Sequence, residues 1–352
     1  MKLNQILCGA AVVAALGITG CGSSDSGGTT PSTPTSPAGK TTTAPPKKST
    51  YKIVMIAKSS SNPVFTAAKK GAEDAAKELG TQNGVTINID WQTPNNEDAT
   101  VQAQKISQGV NDGADAILVS CSDAAKVTSA INDAVDKGVP VMTFDSDAPD
   151  SKRFAFYGAD DKEAGAQVMK ELSAIIGGKG TVAILSGNQN APNLQNRSKG
   201  AMDEAKKYPG IKILGPFNHP ETPEDATQEV QKDMNAHPEI TAWAMIGGWP
   251  LFSTALLSLD PNKVKIVSID ALPAELGYID KGIAPVLLAQ PVYEWGHKSV
   301  ELIVDKIILG KEVPKITKME LVKVSKDNLG EWANQLKTWG FEVDPKYLAM
   351  KK

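Results

Sequence analysis

The stretch Tyr51-Lys52-Ile53-Val54-Met55-Ile56-Ala57, with the loop Ser59-Ser60-Ser61-Asn62 and the run Pro63 to Leu79 behind it, decides the fold. Its first part is a short β-rich run. Pro63 to Leu79 then has helical periodicity and stops at Gly80, a natural C-cap. The same unit recurs down the chain: Val85 to Trp91 as strand, Glu97 to Asn111 as helix, Ala116 to Ser120 as strand, Ala124 to Asp136 as helix, and Val139 to Phe144 as strand. Alternation at this spacing argues a parallel sheet covered by helices on both faces. A second series follows, with strands near Phe154–Tyr157, Thr181–Leu185, Ile211–Leu214, Ala242–Ile246 and Val264–Ile269. Helices are predicted between them near Lys162–Ile176, Leu194–Lys207, Pro223–Asn235, Leu251–Leu259 and Ala274–Asp280. The predicted fold class is α/β, with two doubly wound, Rossmann-like parallel-sheet lobes.

Size and charge agree with two lobes. The chain has 352 residues, more than one hydrophobic core usually serves. Lys+Arg 37 against Asp+Glu 40 leave a net charge of −3, so no positive field exists to hold nucleic acid. The apolar stretch Ile6 to Ile18, after the weakly positive Met1-Lys2 start, is too short for a permanent bilayer span and reads as an export signal. It closes on Ile18-Thr19-Gly20-Cys21, which resembles the bacterial lipobox and makes Cys21 the predicted lipidation site. Residues 1–20 are then a lipoprotein signal peptide, and 21–50, nearly all Gly, Ser, Thr, Pro and Ala, a disordered tether. Cys121, after the apolar run Ala116 to Val119, is expected to be a buried structural thiol.

In open parallel sheets the ligand crevice lies outside the carboxyl ends of the strands. The loops there are Ser59 to Phe65, Asp145-Ser146-Asp147, Ser186 to Asn190, Gly247-Gly248-Trp249-Pro250 and Asp270. They are rich in hydrogen-bonding groups, with single aromatics at Phe65 and Trp249.

Several motifs in these positions resemble a known family in the right order. They are Ser61-Asn62-Pro63-Val64-Phe65, Pro140-Val141-Met142-Thr143-Phe144-Asp145, Arg197-Ser198-Lys199-Gly200, Ile266-Val267-Ser268-Ile269-Asp270 and Leu288-Ala289-Gln290. Together they resemble the periplasmic sugar-binding proteins of the ribose-binding type, substrate receptors of ABC importers, from Tyr51 to about Val324. The resemblance implies a type I periplasmic binding fold with a three-segment hinge, crossing near Gly158–Asp161, Leu288–Pro291 and Ile316–Lys318. It implies an N-terminal lobe of residues 51–158 and 291–317, and a C-terminal lobe of 159–290 and 318–326. Residues 327–352 form a tail with a helix. Many relatives carry an Arg after the first-lobe Asp, where this chain has Ser146. Many carry Asn or Asp where it has Gly247-Gly248-Trp249, and the second aromatic of the usual pair is Val64.

A sugar offers hydroxyls at its rim and apolar C–H faces. Carboxylates accept hydroxyl hydrogens, Arg donates through a rigid fork, and amides do both. The candidate ligand-binding residues are therefore Asn62, Asp145, Asn190, Arg197, Asp270 and Gln290, with Phe65 and Trp249 as stacking surfaces; Asp147, Glu221 and Tyr293 are secondary. Asn62 before Pro63 also fits an ordinary helix N-cap. His219, His237 and His297 have no metal-ligand spacing, and Gly177-Gly178-Lys179-Gly180 lacks the Ser or Thr and the helix of a phosphate loop. No catalytic residue, metal or cofactor is predicted. The expected protein is an exported, lipid-anchored monomer in the periplasm or on the outer envelope face, binding a monosaccharide or polyol by hinge closure. Its expected partners are an ABC permease and ATPase; the alternative is a sensor of the same fold that presents its ligand to a membrane kinase or chemoreceptor.

Overall fold

The computed structural model describes residues 48–350. The expected export signal, Cys21 and nearly all of the tether lie outside them. Among the described residues no helix is long and apolar enough to cross a membrane.

The first lobe is built from β1 (Thr50–Ile56), α1 (Pro63–Asn83), β2 (Thr86–Trp91), α2 (Ala99–Asn111), β3 (Ala116–Val119), α3 (Ala124–Asp136), β4 (Val141–Phe144) and β5 (Ala155–Gly158). The second takes α4 (Asp161–Ile175), β6 (Lys179–Ser186), α5 (Pro192–Ala205), β7 (Gly210–Asn218), α6 (Pro223–Ala236), β8 (Ile240–Met245), β9 (Lys265–Ile269), α7 (Leu276–Lys281) and β10 (Val286–Ala289). The chain then returns as α8 (Val292–Ile307) and β11 (Ile316–Lys318) in the first lobe, and crosses again to β12 (Val322–Val324). Helices α9 (Leu329–Thr338) and α10 (Pro345–Leu348) follow.

Sheet one runs β11-β5-β4-β3-β1-β2 and is wholly parallel; sheet two runs β12-β10-β9-β8-β6-β7 and is parallel except at β10–β12. The period of two explains why the strands read as unbroken apolar runs. In β1, Ile53 and Met55 enter the core under α1 and α8, while Val54 and Ile56 enter the core under α2 and α3. In β6, Ala183 and Leu185 face one core and Val182 and Ile184 the other. Each such Ile, Leu or Val, wholly buried, contributes roughly 1.5–3 kcal/mol of apolar transfer.

Two expectations are corrected. Helix α1 does not stop at Gly80, which is buried, but runs on to Asn83 and is capped by Gly84 at φ 65°. Gly84 has open space around it and takes the left-handed conformation that a C′ residue needs. The helix expected over Leu251–Leu259 is instead two 3-10 turns, Trp249–Phe252 and Ala255–Ser258. Between them Ser253 is extended, and the Tyr278 hydroxyl donates to its carbonyl (2.7 Å) while accepting from the Leu256 N–H (3.2 Å). That side chain supplies the bonds a continuous helix would have made.

Close helix contacts set the lobes' shape. A Cβ on Gly165 of α4 would lie 1.8 Å from the Arg197 carbonyl oxygen, and one on Gly200 of α5 would lie 1.9 Å from that of Lys162. The two backbones touch there, so only glycine fits. The spacing Arg197-x-x-Gly200 thus reports a helix crossing as well as a side chain.

Candidate functional site

The carboxyl ends of the two sheets face each other, and side chains from both meet. Asp145 follows β4 and Asp270 follows β9, both buried, at φ 55° and 77°. Asp is among the few non-glycine residues that enter this region readily, and strained positions of this kind cluster at ligand sites.

Arg197 lies between them. Its place comes from α5, where Asn193, Arg197 and Gly200 share the buried face. Its Nε donates to Asp161 Oδ1 at 2.8 Å, Nη2 to Gln290 Oε1 at 2.8 Å and Nη1 to the Ile246 carbonyl at 3.3 Å; Asp145 Oδ1 is 3.9 Å from Nη2. Gln290, just past β10, turns its Nε2 to Asp270 Oδ1 at 2.9 Å. Asp270 Oδ2 also accepts from the Gly248 N–H at 3.4 Å. Asp145 accepts from Ser120 Oγ at 2.7 Å within its own lobe and from Asn193 Nδ2 at 3.3 Å across the cleft.

Burial pushes the Asp145 carboxyl up, against the pull of Lys58 and Arg197, and pushes Asp270 up against its Gln290 bond and Arg197. Burial alone would lower the Arg197 guanidinium, but Asp161, Asp145 and Asp270 outweigh it and hold it above its ordinary value. Asp161 is raised by burial to about 6 despite Arg197. The carboxylates around this guanidinium suit a ligand that brings hydroxyl hydrogens, and the three of them against one Arg197 disfavour an anionic one.

A second charged node bridges the lobes nearer the mouth. Lys58, two residues past the carboxyl end of β1 and 2% exposed, lies 2.7 Å from Glu97 of its own lobe and 3.0 Å from Glu221 of the other. Burial works to lower the ammonium, yet Glu221 and Glu97 together raise it. Burial raises Glu97 to about 7 against Lys58. Asn188 Nδ2 reaches across to Glu97 Oε2 (3.0 Å) and to the Ser122 carbonyl (3.3 Å).

Of the other sequence candidates only Glu221 joins one of these nodes; the rest make contacts of their own. Asn62 caps α1, its Oδ1 accepting from the Val64 N–H at 3.2 Å. Phe65 is buried in the first lobe, stacked on Trp295 with centroids 5.9 Å apart and edge-on to Phe144. Trp249 is buried beside Ala191, Leu194 and Ala226; a Cβ on Gly247 would strike its ring at 2.3 Å, which accounts for that glycine. Asn190 is exposed at the rim, its N–H donating to Asn188 Oδ1 at 3.0 Å. Asp147 holds Arg153 and Thr143 inside its own loop, and Tyr293 donates to Asp74 at 2.9 Å behind the hinge. Glu221 is the second-lobe arm of the Lys58 node.

Sequence reasoning missed Lys58, Glu97, Asn188, Asn193, Ser120 and Asp161. Two had a signal available. Lys58 stands two residues past the carboxyl end of β1, and Asn193 lies one helical turn before Arg197 after the N1 proline Pro192.

Comparison with known proteins agrees with the fold. A family model described as the periplasmic binding protein domain matches residues 53–312. The xylitol-binding protein of Mycolicibacterium smegmatis is 31% identical over 150 residues, 43% of this chain and 41% of that protein, so the match spans less than half of that relative. The ribose import binding protein of Bacillus subtilis is 24% identical over 270 residues, 76% of this chain and 85% of that protein. A solved ABC transporter solute binding protein from Burkholderia graminis, in complex with D-arabinose, superposes with a TM-score of 0.74 at 27% identity, covering 80% of this chain and 98% of that one. The matched span takes in both sheets apart from the edge strands β11 and β12, and every member of the Asp145–Arg197–Asp270 cluster. On that ground the chain belongs to the periplasmic binding protein domain family, with the two-lobed type I architecture of a binding protein and not of an enzyme.

Proposed function

We propose that this protein is the lipid-anchored, monomeric substrate-binding component of an ABC importer, taking a monosaccharide or related polyol between its lobes and delivering it to a permease and its ATPase. One observation carries the reading: two left-handed aspartates from opposite lobes converge on a single buried Arg197. Asp145 and Asp270 would accept ligand hydroxyls, Arg197, Gln290, Asn62 and Asn190 would donate, and Trp249 and Phe65 would supply the apolar surface. Closure would proceed about the three chain crossings, with the lobes divided as the sheets divide. The Ile18-Thr19-Gly20-Cys21 sequence and the Ser/Thr/Pro-rich stretch support lipidation of Cys21 and a tether to the outer envelope face.

A thermal-shift screen of residues 47–352 against pentoses, hexoses and their polyols tests this. A ligand that binds only the folded state raises the melting temperature with occupancy. The expected result is a shift with one or a few neutral sugars and none with their acid derivatives. A shift with sugar acids alone would refute the assignment of the ligand class.

A further inference from the structure

We propose that His219 is a ligand-recognition residue of the cleft mouth, accepting a hydrogen bond from a ligand hydroxyl through Nε2. The inference rests on the sugar-binding reading and extends the site beyond the aspartate–arginine cluster.

His219 follows β7 directly, at the same carboxyl edge of sheet two as Asp270. Its N–H donates to the Ser186 carbonyl at 3.2 Å, which pins the backbone. The side chain is 5% exposed. Nδ1 lies 2.7 Å from the Pro220 carbonyl oxygen. A carbonyl only accepts, so Nδ1 carries the hydrogen, and Nε2 of the neutral ring is left as an acceptor. Burial lowers the ring's pKa and keeps it neutral. Nε2 itself is buried and has no hydrogen-bond partner among the described residues. Leaving such an atom unmet is unfavourable, and a bound hydroxyl would satisfy it.

The surroundings match that role. His219 borders a cavity of about 650 Å³ between the lobes, walled by Ser59, Ser61 and Glu97 on one side and Asn188, Asn190 and Glu221 on the other. Its ring stands edge-on to Trp249, centroids 5.0 Å apart at 77°. An acceptor beside a flat indole, opposite amides and carboxylates, is a recognition set for a neutral polyhydroxy compound.

The test uses the full chain labelled with 15N-histidine, with D-ribose, D-xylose, D-allose, D-arabinose and xylitol as probes. Binding of a probe is expected to move the Nε2 resonance upfield, as an acceptor bond requires. H219F, which keeps a ring against Trp249, is expected to bind that probe about tenfold more weakly while still melting cooperatively without ligand. H219Q, which retains an acceptor, is expected to recover part of the loss. A probe that binds while Nε2 stays still and H219F binds like the parent overturns this inference alone. Failure of every probe to bind the parent overturns the sugar reading and this inference with it.

Discussion

Asp145 and Asp270 occupy equivalent places in two separate sheets, each just past a strand that is flanked on both sides, and each in the left-handed conformation. They are the only non-glycine residues among the described ones with positive φ. One guanidinium serves both, through a 3.9 Å approach to Asp145 and through Gln290 to Asp270. The equivalence links backbone and function: the turn that aims each carboxylate into the cleft is one that most side chains avoid.

Asparagine should therefore be a clean probe at these positions, since it tolerates the left-handed region and differs from Asp only in charge and acceptor capacity. D145N and D270N are expected to fold like the parent and to lose about 10- to 100-fold in sugar affinity, the worth of a hydrogen bond to a charged group. Alanine would confound this by adding backbone strain. Calorimetric titration beside a thermal melt separates the two, and unchanged affinity in both asparagine variants would contradict the site.

The α4–α5 crossing makes a different prediction. A methyl group at Gly165 or Gly200 has backbone atoms within 2 Å and no flexible neighbour to yield. G165A and G200A are each expected to cost about 1–3 kcal/mol in urea unfolding. G165A should also weaken binding, because the atom it displaces belongs to Arg197. Alanine at Gly113, where no neighbour lies within 4 Å, meets only the penalty of its 76° φ.

Lys58 ties the two lobes together. Its ammonium is the only cation within reach of both Glu97 and Glu221 in the ion pairs of the described residues. K58M leaves two buried carboxylates facing each other, and breaking a buried pair by removing one partner costs about 3–5 kcal/mol. Opening relieves that penalty, so small-angle scattering should give K58M a larger radius of gyration than the parent, and the double variant K58M/E221Q a value between them.

Glu97 also gives a pH signature. Its carboxyl has an ordinary value of 4.5 and is raised to about 7 in the folded protein, burial being the main cause. Between those values the unfolded chain has released the proton and the folded one retains it. The unfolded state binds fewer protons there, so this group's contribution to stability is full below pH 4.5 and is lost as pH rises through 7. Urea midpoints taken at both ends of that window should show the decline in the parent and a flatter profile in E97Q.

What the sequence made legible was what local pattern carries. The apolar period of β1 and β6 and the polar residues at strand ends Asp145, Asp270 and Gln290 were readable because each is fixed by its own strand. Lys58 was not. Taken alone it is one more lysine beside a serine-rich loop, and its burial comes from two carboxylates that lie far along the chain. The same holds for Asn188: it makes the cross-cleft bonds, and its neighbour Asn190 lies at the rim, because a local bond from the Asn190 N–H to Asn188 Oδ1 shapes the turn. The 3-10 turns after Trp249 depend on the Tyr278 hydroxyl, a partner that no window on that segment contains.

The tail offers the last prediction, since it touches the site through one bond. Trp332 of α9 is buried in the second-lobe core, and its indole N–H donates at 2.7 Å to the carbonyl of Ala271, the residue after Asp270. Trp339 packs edge-on to it at 5.4 Å and stacks on Tyr293 of α8 at 5.9 Å. W332F keeps most of the apolar contact and leaves a buried carbonyl with one donor fewer, which costs about 1–3 kcal/mol. If that bond holds the strained turn at Asp270, W332F will lower sugar affinity as well as stability, while W339F, which has no bond to that turn, will lower stability alone. Equal effects of both variants on affinity would show that the tail steadies the lobe without aiming Asp270.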